Sequence, residues 1–314
     1  KSRLVANMLS ENMRFAHYNQ IATEVEAAIK EGTDGIIVTH GTDTLHYTGA
    51  ALTFALENLN IPVLLVGAQR SSDRGSSDAF FNLKCAAQFI AHSDFAGVAL
   101  CMHALPDDDK CAILPGVKSR KMHSSRRDAF KAVNAEPYAL IDGNGKIEWV
   151  APEHPKKVLE KKPLNLKLFK EELKVGILKA HPNMFAEEFK PYNKYQGLVL
   201  EGTGLGHFPI EKYDENTAEH ELIFTAIEKL AKKIPVVMTV QTIFGVVNMD
   251  IYSPGRKQIE AGVLGTQLDM PPETAFIKLA WLLSNYPKKR VRELFSHNFH
   301  GEISERRELE KEFC

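Results

Sequence analysis

Short apolar runs alternate with helical stripes along the first hundred residues, and this alternation predicts the fold. Strands with the length and composition of buried strands are predicted at 35–38, 63–66 and 97–102. Apolar residues spaced three or four apart predict helices at 19–31, at 47–58 and around Phe81, Cys85 and Phe89. Because strands that alternate with helices form parallel βαβ units, we predict an α/β fold built on a parallel sheet.

The pattern breaks in the middle of the chain and then resumes. Two apolar segments flank the sequence DGNG at 142–145, which indicates a β-hairpin. Residues 151–174 are rich in Pro, Lys and Glu with weak periodicity, as is typical of an exposed linker. Further strands are predicted at 175–178, 197–200 and 235–238, with helices at about 215–233, 271–284 and 288–297. We therefore predict an N-terminal domain over 1–150, a linker over 151–174 and a C-terminal domain over 175–314.

Composition and charge bear on where the protein works and what it binds. With 44% hydrophobic and 25% charged residues, the chain has the composition of an ordinary soluble protein. Its four cysteines form no CxxC pair, which favours free thiols in a reducing cytoplasm. A formal net charge of -1 gives no general attraction to nucleic acid. Residues 1–10 predict a strand that runs into a polar turn without an initiator Met, so we expect the natural N terminus to lie upstream.

The polar turn after the strand at 35–38 is the main candidate for chemistry. Its sequence, THGTDT at 39–44, lies where an α/β sheet places its ligands, at the carboxyl ends of the strands. The hydroxyl of Thr42 needs a base to accept its proton, and a lysine whose charge is disfavoured by burial can serve. Asp43 needs a cationic partner, either a lysine or the ammonium of a substrate. The basic stretch at 118–128 offers such lysines, although its composition also fits a solvated loop.

Other turns offer weaker candidates. Ser10, Glu11 and Asn12 follow the first predicted strand and can bind the α-carboxylate and α-ammonium of an amino acid, or simply cap a helix. The glycine-rich turn at 202–206 matches neither GxGxxG nor a P-loop, so no ATP site is predicted in this chain. The spacing of Cys101, His103 and Cys111 matches no standard zinc pattern, so no metal site is predicted.

Three of these motifs together resemble the bacterial-type L-asparaginase/glutaminase family. THGTDT at 39–44 resembles its second signature, residues 10–12 resemble its substrate-binding serine turn, and Arg120-Lys121 resembles its catalytic lysine segment. The likeness runs in order over essentially the whole chain. The stretches at 67–79, 120–128 and 201–207 resemble one branch of the family, the D subunits of archaeal glutamyl-tRNA(Gln) amidotransferases.

The resemblance implies a two-domain asparaginase-like fold, with a larger flavodoxin-like parallel-sheet domain and a smaller C-terminal α/β domain. It also implies amide hydrolysis without a metal. In that family a threonine of a Thr-Gly-Gly-Thr turn attacks the side-chain amide. A second threonine, an aspartate and a lysine form a relay, which the resemblance assigns here to Thr42, Asp43 and Lys121. Ser10 and Glu11, together with Thr42 and Asp43, are implied to bind the substrate.

One part of the family pattern is missing. No Thr-Gly-Gly-Thr turn occurs in the 314 residues. In the family this turn precedes the serine turn by one strand and a loop, so we expect it to be encoded upstream, after a small β-rich domain. We accordingly expect these 314 residues alone to be inactive. His207 also stands where free asparaginases often have an asparagine that reaches a neighbouring protomer.

The resemblance also implies a role and partners. The protein would hydrolyse glutamine to glutamate and ammonia as the glutaminase component, within a heterotetramer built on a homodimer. The partner E subunit would convert Glu-tRNA(Gln) to Gln-tRNA(Gln) with ATP and Mg²⁺ and make most contacts with tRNA(Gln), while this chain holds no cofactor. Two alternatives stay open: a free cytoplasmic L-asparaginase, and a non-catalytic tRNA-binding homologue that uses the basic loop at 118–127.

Overall fold

The computed structural model describes residues 1–160 and 162–306. The chain divides into two compact units, Lys1–Glu171 and Glu172–Cys314. The first unit thus includes most of the segment 151–174 that the sequence suggests as a linker. Part of that segment is tied down, because the carbonyl oxygen of Pro155 accepts a hydrogen bond from Ala96 N–H at 3.0 Å.

The first unit is built on a six-stranded mixed sheet. Its strands, in spatial order, are β1 (Ile36–Thr39), β3 (Pro62–Val66), β4 (Gly97–His103), β5 (Lys110–Pro115), β8 (Ala139–Asp142) and β9 (Ile147–Trp149). Two small antiparallel pairs accompany it: β2 (Leu56–Glu57) with β10 (Asn165–Leu166), and β6 (Ser119–Lys121) with β7 (Phe130–Ala132). The helices are α1 (Phe15–Lys30), α2 (Leu45–Ala55) and α3 (Ala79–His92), with a 3-10 helix at Ser10–Asn12.

The predicted parallel sheet is present in β1, β3 and β4, and antiparallel strands extend it. Parallel pairing aligns Thr39 with Val66, so β1 and β3 end side by side. Strand β5 follows β4 through the short loop 104–109 and runs antiparallel to it, because a parallel partner needs a longer crossover connection. The predicted hairpin at 142–145 is confirmed, since β8 and β9 pair across it.

The strand predicted at 1–10 is wrong. Residues 1–9 form no helix or strand, and Leu4 is 84% exposed. A strand is stable only when a neighbour pairs with its backbone groups, and within the described residues β1 pairs only with β3. A groove lined by both separates the segment 1–8 from β1.

The second unit is a three-stranded parallel sheet covered by helices. Its strands are β11 (Val175–Lys179), β12 (Gly197–Gly202) and β13 (Val236–Val240), in that order. The helices are α4 (Glu219–Lys233), α5 (Ser253–Glu260), α6 (Pro272–Asn285) and α7 (Lys288–Leu294), with 3-10 helices at Ala186–Lys194 and Glu215–Thr217. Helix α5 was not predicted from the sequence, because it spans only eight residues and carries near its start Pro254-Gly255, a pair that usually marks a turn.

Inside the second unit, Lys278 of α6 forms a fully buried ion pair with Glu302. The side chains of Lys278 and Glu302 are both 0% exposed, and their charged atoms lie 2.7 Å apart. Lys278 also donates a hydrogen bond to the carbonyl oxygen of His297 at 2.6 Å. This pair attaches the segment that follows α7 to the core. Across residues 1–160 and 162–306, no helix combines the length and apolar composition needed to cross a bilayer.

Candidate active site

The turn at 39–44 connects β1 to α2 and is held in place by Ser10. The hydroxyl of Ser10 accepts a hydrogen bond from Thr44 N–H at 3.3 Å, and the Thr44 hydroxyl donates to the Ser10 carbonyl oxygen at 2.7 Å. Gly41 allows this close approach, because a Cβ there would lie 2.9 Å from the Ser10 side chain. Ser10 is therefore at the turn, as predicted, and the alternative that it caps α1 is wrong, since Arg14 occupies that position. Glu11 lies beside it and is exposed.

Lys121 completes the cluster from a distant part of the chain. It ends β6, and its ammonium donates hydrogen bonds to Thr42 Oγ1 at 3.0 Å and to Asp43 Oδ1 at 2.7 Å. The Lys121 side chain is only 12% exposed, whereas that of Asp43 is 64% exposed. The structure thus brings together the three residues that the sequence predicted as a relay, with a shielded amine between a hydroxyl and a carboxylate.

The basic stretch around Lys121 is only partly the solvated loop considered as an alternative. Lys118 is 1% exposed and belongs to the core. Arg126 donates two hydrogen bonds to Asp128, both at 2.8 Å, and Arg127 donates to Asp108 at 2.7 Å. The guanidinium of Arg126 holds the pKa of Asp128 below its usual value. Much of the positive charge in this loop is therefore neutralised by neighbouring carboxylates.

Gln69 is a site residue that was not predicted from the sequence. The Thr42 hydroxyl donates a hydrogen bond to Gln69 Oε1 at 2.9 Å. Gln69 lies in the turn that follows β3, and Gly67 in that turn packs against Thr42, because a Cβ there would lie 2.8 Å from Thr42 Cγ2. The signal was available, since this turn follows the next strand of the sheet and so lies at the same edge as 39–44.

Two fully buried side chains hold this second turn. The carboxylate of Asp78 accepts hydrogen bonds from the backbone N–H groups of Gln69 at 3.0 Å and Arg70 at 2.9 Å. Asn82 donates to the carbonyl oxygen of Gly67 at 2.9 Å and to Asp78 at 3.2 Å. The position of the Gln69 backbone is thus determined by buried groups rather than by the exposed loop tip at 71–76.

His103 links this turn to the loop 104–109. Its Nδ1 lies 2.6 Å from Asn82 Oδ1 and its Nε2 lies 2.9 Å from Asp108 Oδ1. Both ring nitrogens are therefore engaged within the protein. The hydrogen bond from His103 and the charge of Arg127 lower the pKa of Asp108. Cys101 and Cys111, which the sequence places near His103, are buried free thiols.

A buried histidine lies behind the cluster. Burial lowers the pKa of His46 to about 3, and the charges of Arg120 and Lys121 act in the same direction. Burial also lowers the pKa of His40, whose Nε2 lies 2.9 Å from the hydroxyl of Thr48. Burial therefore favours the neutral imidazole at both histidines.

A groove of about 670 Å³ runs along β1 and ends at Ser10 and Gly41, the residue before Thr42. One wall is the extended segment 1–8, the floor includes Ile21 and Val25 of α1, and the other wall is residues 35–41. In β1 the residues Ile36–Val38 are half-buried and Thr39 is exposed, while every residue of β3 is buried. The groove therefore exposes the apolar edge of β1 and leads to Ser10 and Gly41.

The glycine turn in the second unit closes on itself. The N–H and the hydroxyl of Thr203 both donate to the carbonyl oxygen of His207, at 3.0 and 3.1 Å. Partial burial lowers the pKa of His207. The backbone groups of this turn thus bond each other, and the absence of an ATP site in this chain stays a prediction.

Comparisons with known proteins place this chain in a family. Residues 1–154 match the family model "Asparaginase, N-terminal" and residues 174–295 match "Glutaminase/Asparaginase C-terminal domain". The chain belongs to the asparaginase family. The family resemblance and the two-domain asparaginase-like fold are therefore confirmed, while the roles of individual site residues stay predictions.

Curated relatives and solved structures agree with this assignment. The chain is 43% identical over 308 residues, 97% of its length and 67% of the relative's, to the glutamyl-tRNA(Gln) amidotransferase D subunit of Pyrococcus abyssi. It is 40% identical over 309 residues, 98% of its length and 67% of the relative's, to the protein of the same name from Methanothermobacter thermautotrophicus. The L-asparaginase of Thermococcus kodakarensis superposes with a TM-score of 0.84 at 29% identity, covering 97% of this chain and 86% of that one. The chain thus spans about two thirds of the length of these curated relatives.

Proposed function

We propose that this protein is the glutaminase component of a tRNA-dependent amidotransferase and hydrolyses glutamine to glutamate and ammonia. The observation that carries the proposal is the contact of Lys121 with both Thr42 and Asp43 at the carboxyl edge of the sheet. The curated relatives, which are named as D subunits of glutamyl-tRNA(Gln) amidotransferases, support the choice of this activity within the family.

The residues of the cluster suit an amide that belongs to an amino acid. Lys121 and Thr42 form a proton relay for acyl transfer. The Asp43 carboxylate is mostly exposed and can accept a hydrogen bond from the substrate's α-ammonium as well as from Lys121. Ser10 and Glu11 lie at the same turn and complete the proposed contacts with the α-amino and α-carboxylate groups. Backbone N–H groups stabilise the oxyanion of the tetrahedral intermediate.

We propose that the attacking threonine comes from a segment outside these 314 residues that occupies the groove along β1. An open strand edge with apolar walls is a typical acceptor for an added strand. A strand that lies parallel to β1 in this groove would end beside Ser10 and Gly41, next to Thr42. The greater length of the curated relatives is consistent with such a segment.

The partner carries the rest of the reaction. Ammonia is mostly protonated in neutral water and then cannot attack an acyl group, so an enclosed passage to the partner would keep it reactive. We propose that the partner, the E subunit, activates Glu-tRNA(Gln) with ATP and Mg²⁺ and converts it to Gln-tRNA(Gln). The small net charge of this chain and the pairing of Arg126 and Arg127 with carboxylates favour tRNA binding mainly by the partner. Three buried free thiols favour a reducing compartment, the cytoplasm.

The decisive experiment compares amide hydrolysis by the chain extended upstream with that by the 314 residues alone. We expect the extended protein with its partner to hydrolyse glutamine and to respond to charged tRNA, and the 314 residues to hydrolyse neither glutamine nor asparagine. Glutamine hydrolysis by the 314 residues at the rate of the extended protein would place the nucleophile within them. Tight, salt-sensitive tRNA binding by this chain alone, abolished by changing Arg126 and Arg127, would instead favour a tRNA-binding role.

A free L-asparaginase is the second candidate, because two solved structures that superpose well are L-asparaginases. The same assay separates the two activities. Rapid asparagine hydrolysis at a rate that neither the partner nor tRNA changes would favour the asparaginase and overturn the amidotransferase proposal.

A further inference from the structure

We propose that Gln69 is a positioning residue that fixes the direction of the Thr42 hydroxyl proton. The inference rests on the proposed function insofar as Thr42 and Lys121 form its relay. Its basis is the contact between the Thr42 hydroxyl and Gln69 Oε1 at 2.9 Å.

The backbone of Gln69 has little freedom. Its N–H is bound by the carboxylate of Asp78, and both Asp78 and Asn82 are 0% exposed. Asn82 in turn holds the carbonyl oxygen of Gly67, two residues before Gln69. Because these buried groups hold the turn on both sides, the Gln69 side chain is aimed at Thr42 by the fold and not by an exposed loop.

The hydrogen bonds of Thr42 determine where its proton lies. A threonine hydroxyl has one proton to donate and can accept with its lone pairs. At the 3.0 Å contact with Lys121 Nζ, the lysine donates and Thr42 Oγ1 accepts. The single Thr42 proton is therefore free to go to Gln69 Oε1, which is an acceptor only.

The other end of the Gln69 amide bears on which way the amide is turned. Within the described residues, Gln69 Nε2 is buried and has no hydrogen-bond partner. A buried unpaired donor is uncommon and calls for an explanation. Rotating the Gln69 amide by half a turn would direct Nε2 at Thr42. The Thr42 hydroxyl oxygen would then accept from two donors, Gln69 Nε2 and Lys121 Nζ. The observed orientation instead leaves Nε2 unpaired among the described residues and directs the Thr42 hydroxyl proton at Gln69 Oε1.

This orientation defines what Thr42 can do. With its proton held by Gln69 and one lone pair facing Lys121, Thr42 presents its remaining lone pair to the open side of the site. It is then prepared to accept a hydrogen bond from the substrate or from a water molecule, and not to attack as a nucleophile. Gln69 thereby separates the role of Thr42 from that of the attacking threonine.

The first test observes the proton directly by NMR in the full-length protein with labelled threonine and glutamine. We expect a slowly exchanging Thr42 hydroxyl proton with a nuclear Overhauser effect to the Gln69 side chain. Gln69→Met, which keeps the size and removes the acceptor, should abolish this signal, and Gln69→Glu should retain it. The matched control is Gln88→Met, on α3, which should leave the signal unchanged. A signal that survives Gln69→Met, or that is absent in the wild-type protein, would overturn the proposal.

The second test measures the amidase activity of the same variants. We expect Gln69→Met to lower kcat by about 10-fold to 100-fold with KM changed by less than about 2-fold, because orientation acts in the chemical step. Gln69→Glu should recover most of kcat and move the pH–rate profile to higher pH, since a carboxylate near Lys121 favours its charged form. A purely structural role would lower the thermal midpoint without moving the profile. If the wild-type protein shows the NMR signal but no glutaminase activity, the proposed function fails and the inference about Gln69 stands.

Discussion

The ammonium nitrogen of Lys121 lies 3.0 Å from the hydroxyl oxygen of Thr42, although 79 positions separate the two residues in the sequence. The contact exists because β6 and β7 form a short antiparallel pair that directs Lys121 at the carboxyl end of β1. Burial of most of the lysine side chain leaves its amine with fixed partners rather than with water. The contacts of this cluster, and the buried polar groups of both units, can be tested by substitution.

Replacing Lys121 by methionine should abolish catalysis and leave the protein folded. Methionine fills the same space, while the amine that contacts Thr42 and Asp43 is lost. We expect glutaminase activity of the extended protein to fall by about 100-fold or more, in line with the loss of a general acid–base group. Lys121→Arg should not restore it, because a planar guanidinium cannot reproduce the geometry of an ammonium.

The control for this change is Lys84→Met, at an exposed lysine of α3. It should retain full activity, and circular dichroism should show the same helix content in all variants. Near wild-type activity of Lys121→Met would exclude Lys121 from the relay.

Replacing Asp78 by asparagine should weaken both the turn at 67–78 and the activity. The two oxygens of Asp78 accept from two backbone N–H groups, and an amide retains only one acceptor. We expect a loss of about 1–3 kcal/mol in the free energy of unfolding, the cost of leaving a buried donor unpaired. Activity should fall further than stability explains, because Gln69 loses its support. Unchanged activity at a reduced stability would show that the turn does not position Gln69.

Acid should destabilise the first unit through His46. In the folded state the pKa of His46 is lowered to about 3 from its usual 6.5, so the folded protein keeps the imidazole neutral. The unfolded chain takes up a proton below pH 6.5, and protons therefore favour unfolding as the pH falls from 6.5 to about 3. Above this range both states are neutral and His46 makes no difference. We expect a slope of up to about 1.4 kcal/mol per pH unit from this residue.

Urea unfolding at several pH values measures this slope. His46→Gln should lower the number of protons taken up on unfolding by about one, which makes the free energy of unfolding less dependent on pH. His92→Gln, at an exposed helix position, should leave it unchanged. An equal pH dependence in wild-type protein and His46→Gln would contradict the prediction.

The buried pair of Lys278 and Glu302 should be essential for the second unit. Lys278→Met leaves a carboxylate buried without its cation, and breaking such a pair costs about 3–5 kcal/mol. Adding Glu302→Gln removes the uncompensated charge and should recover part of this loss. Fluorescence of Trp281 in a Trp149→Phe background reports on the second unit alone, because these are the two tryptophans of the chain. A cost below about 1 kcal/mol for Lys278→Met would contradict the prediction.

Periodicity and turn chemistry were enough to predict the α/β class, most helices and the parallel strands, because those signals are local. The same local signals placed Thr42 and Asp43 at the end of β1. They failed at residues 1–9, whose strand-like pattern has no described neighbour to pair with. They also failed at α5, because Pro254 and Gly255 are typical of a turn although the chain forms a helix there.

By itself the sequence determined that a hydroxyl and a carboxylate stand at the edge of a parallel sheet, with a lysine, a serine and a glutamate as candidates to join them. Only the tertiary structure decided that Lys121 contacts both Thr42 and Asp43, that Ser10 supports their turn, and that Gln69 accepts a hydrogen bond from the Thr42 hydroxyl. Those contacts join residues far apart in the chain. Their geometry depends on strand pairing and on buried groups such as Asp78, which no local pattern of residues encodes.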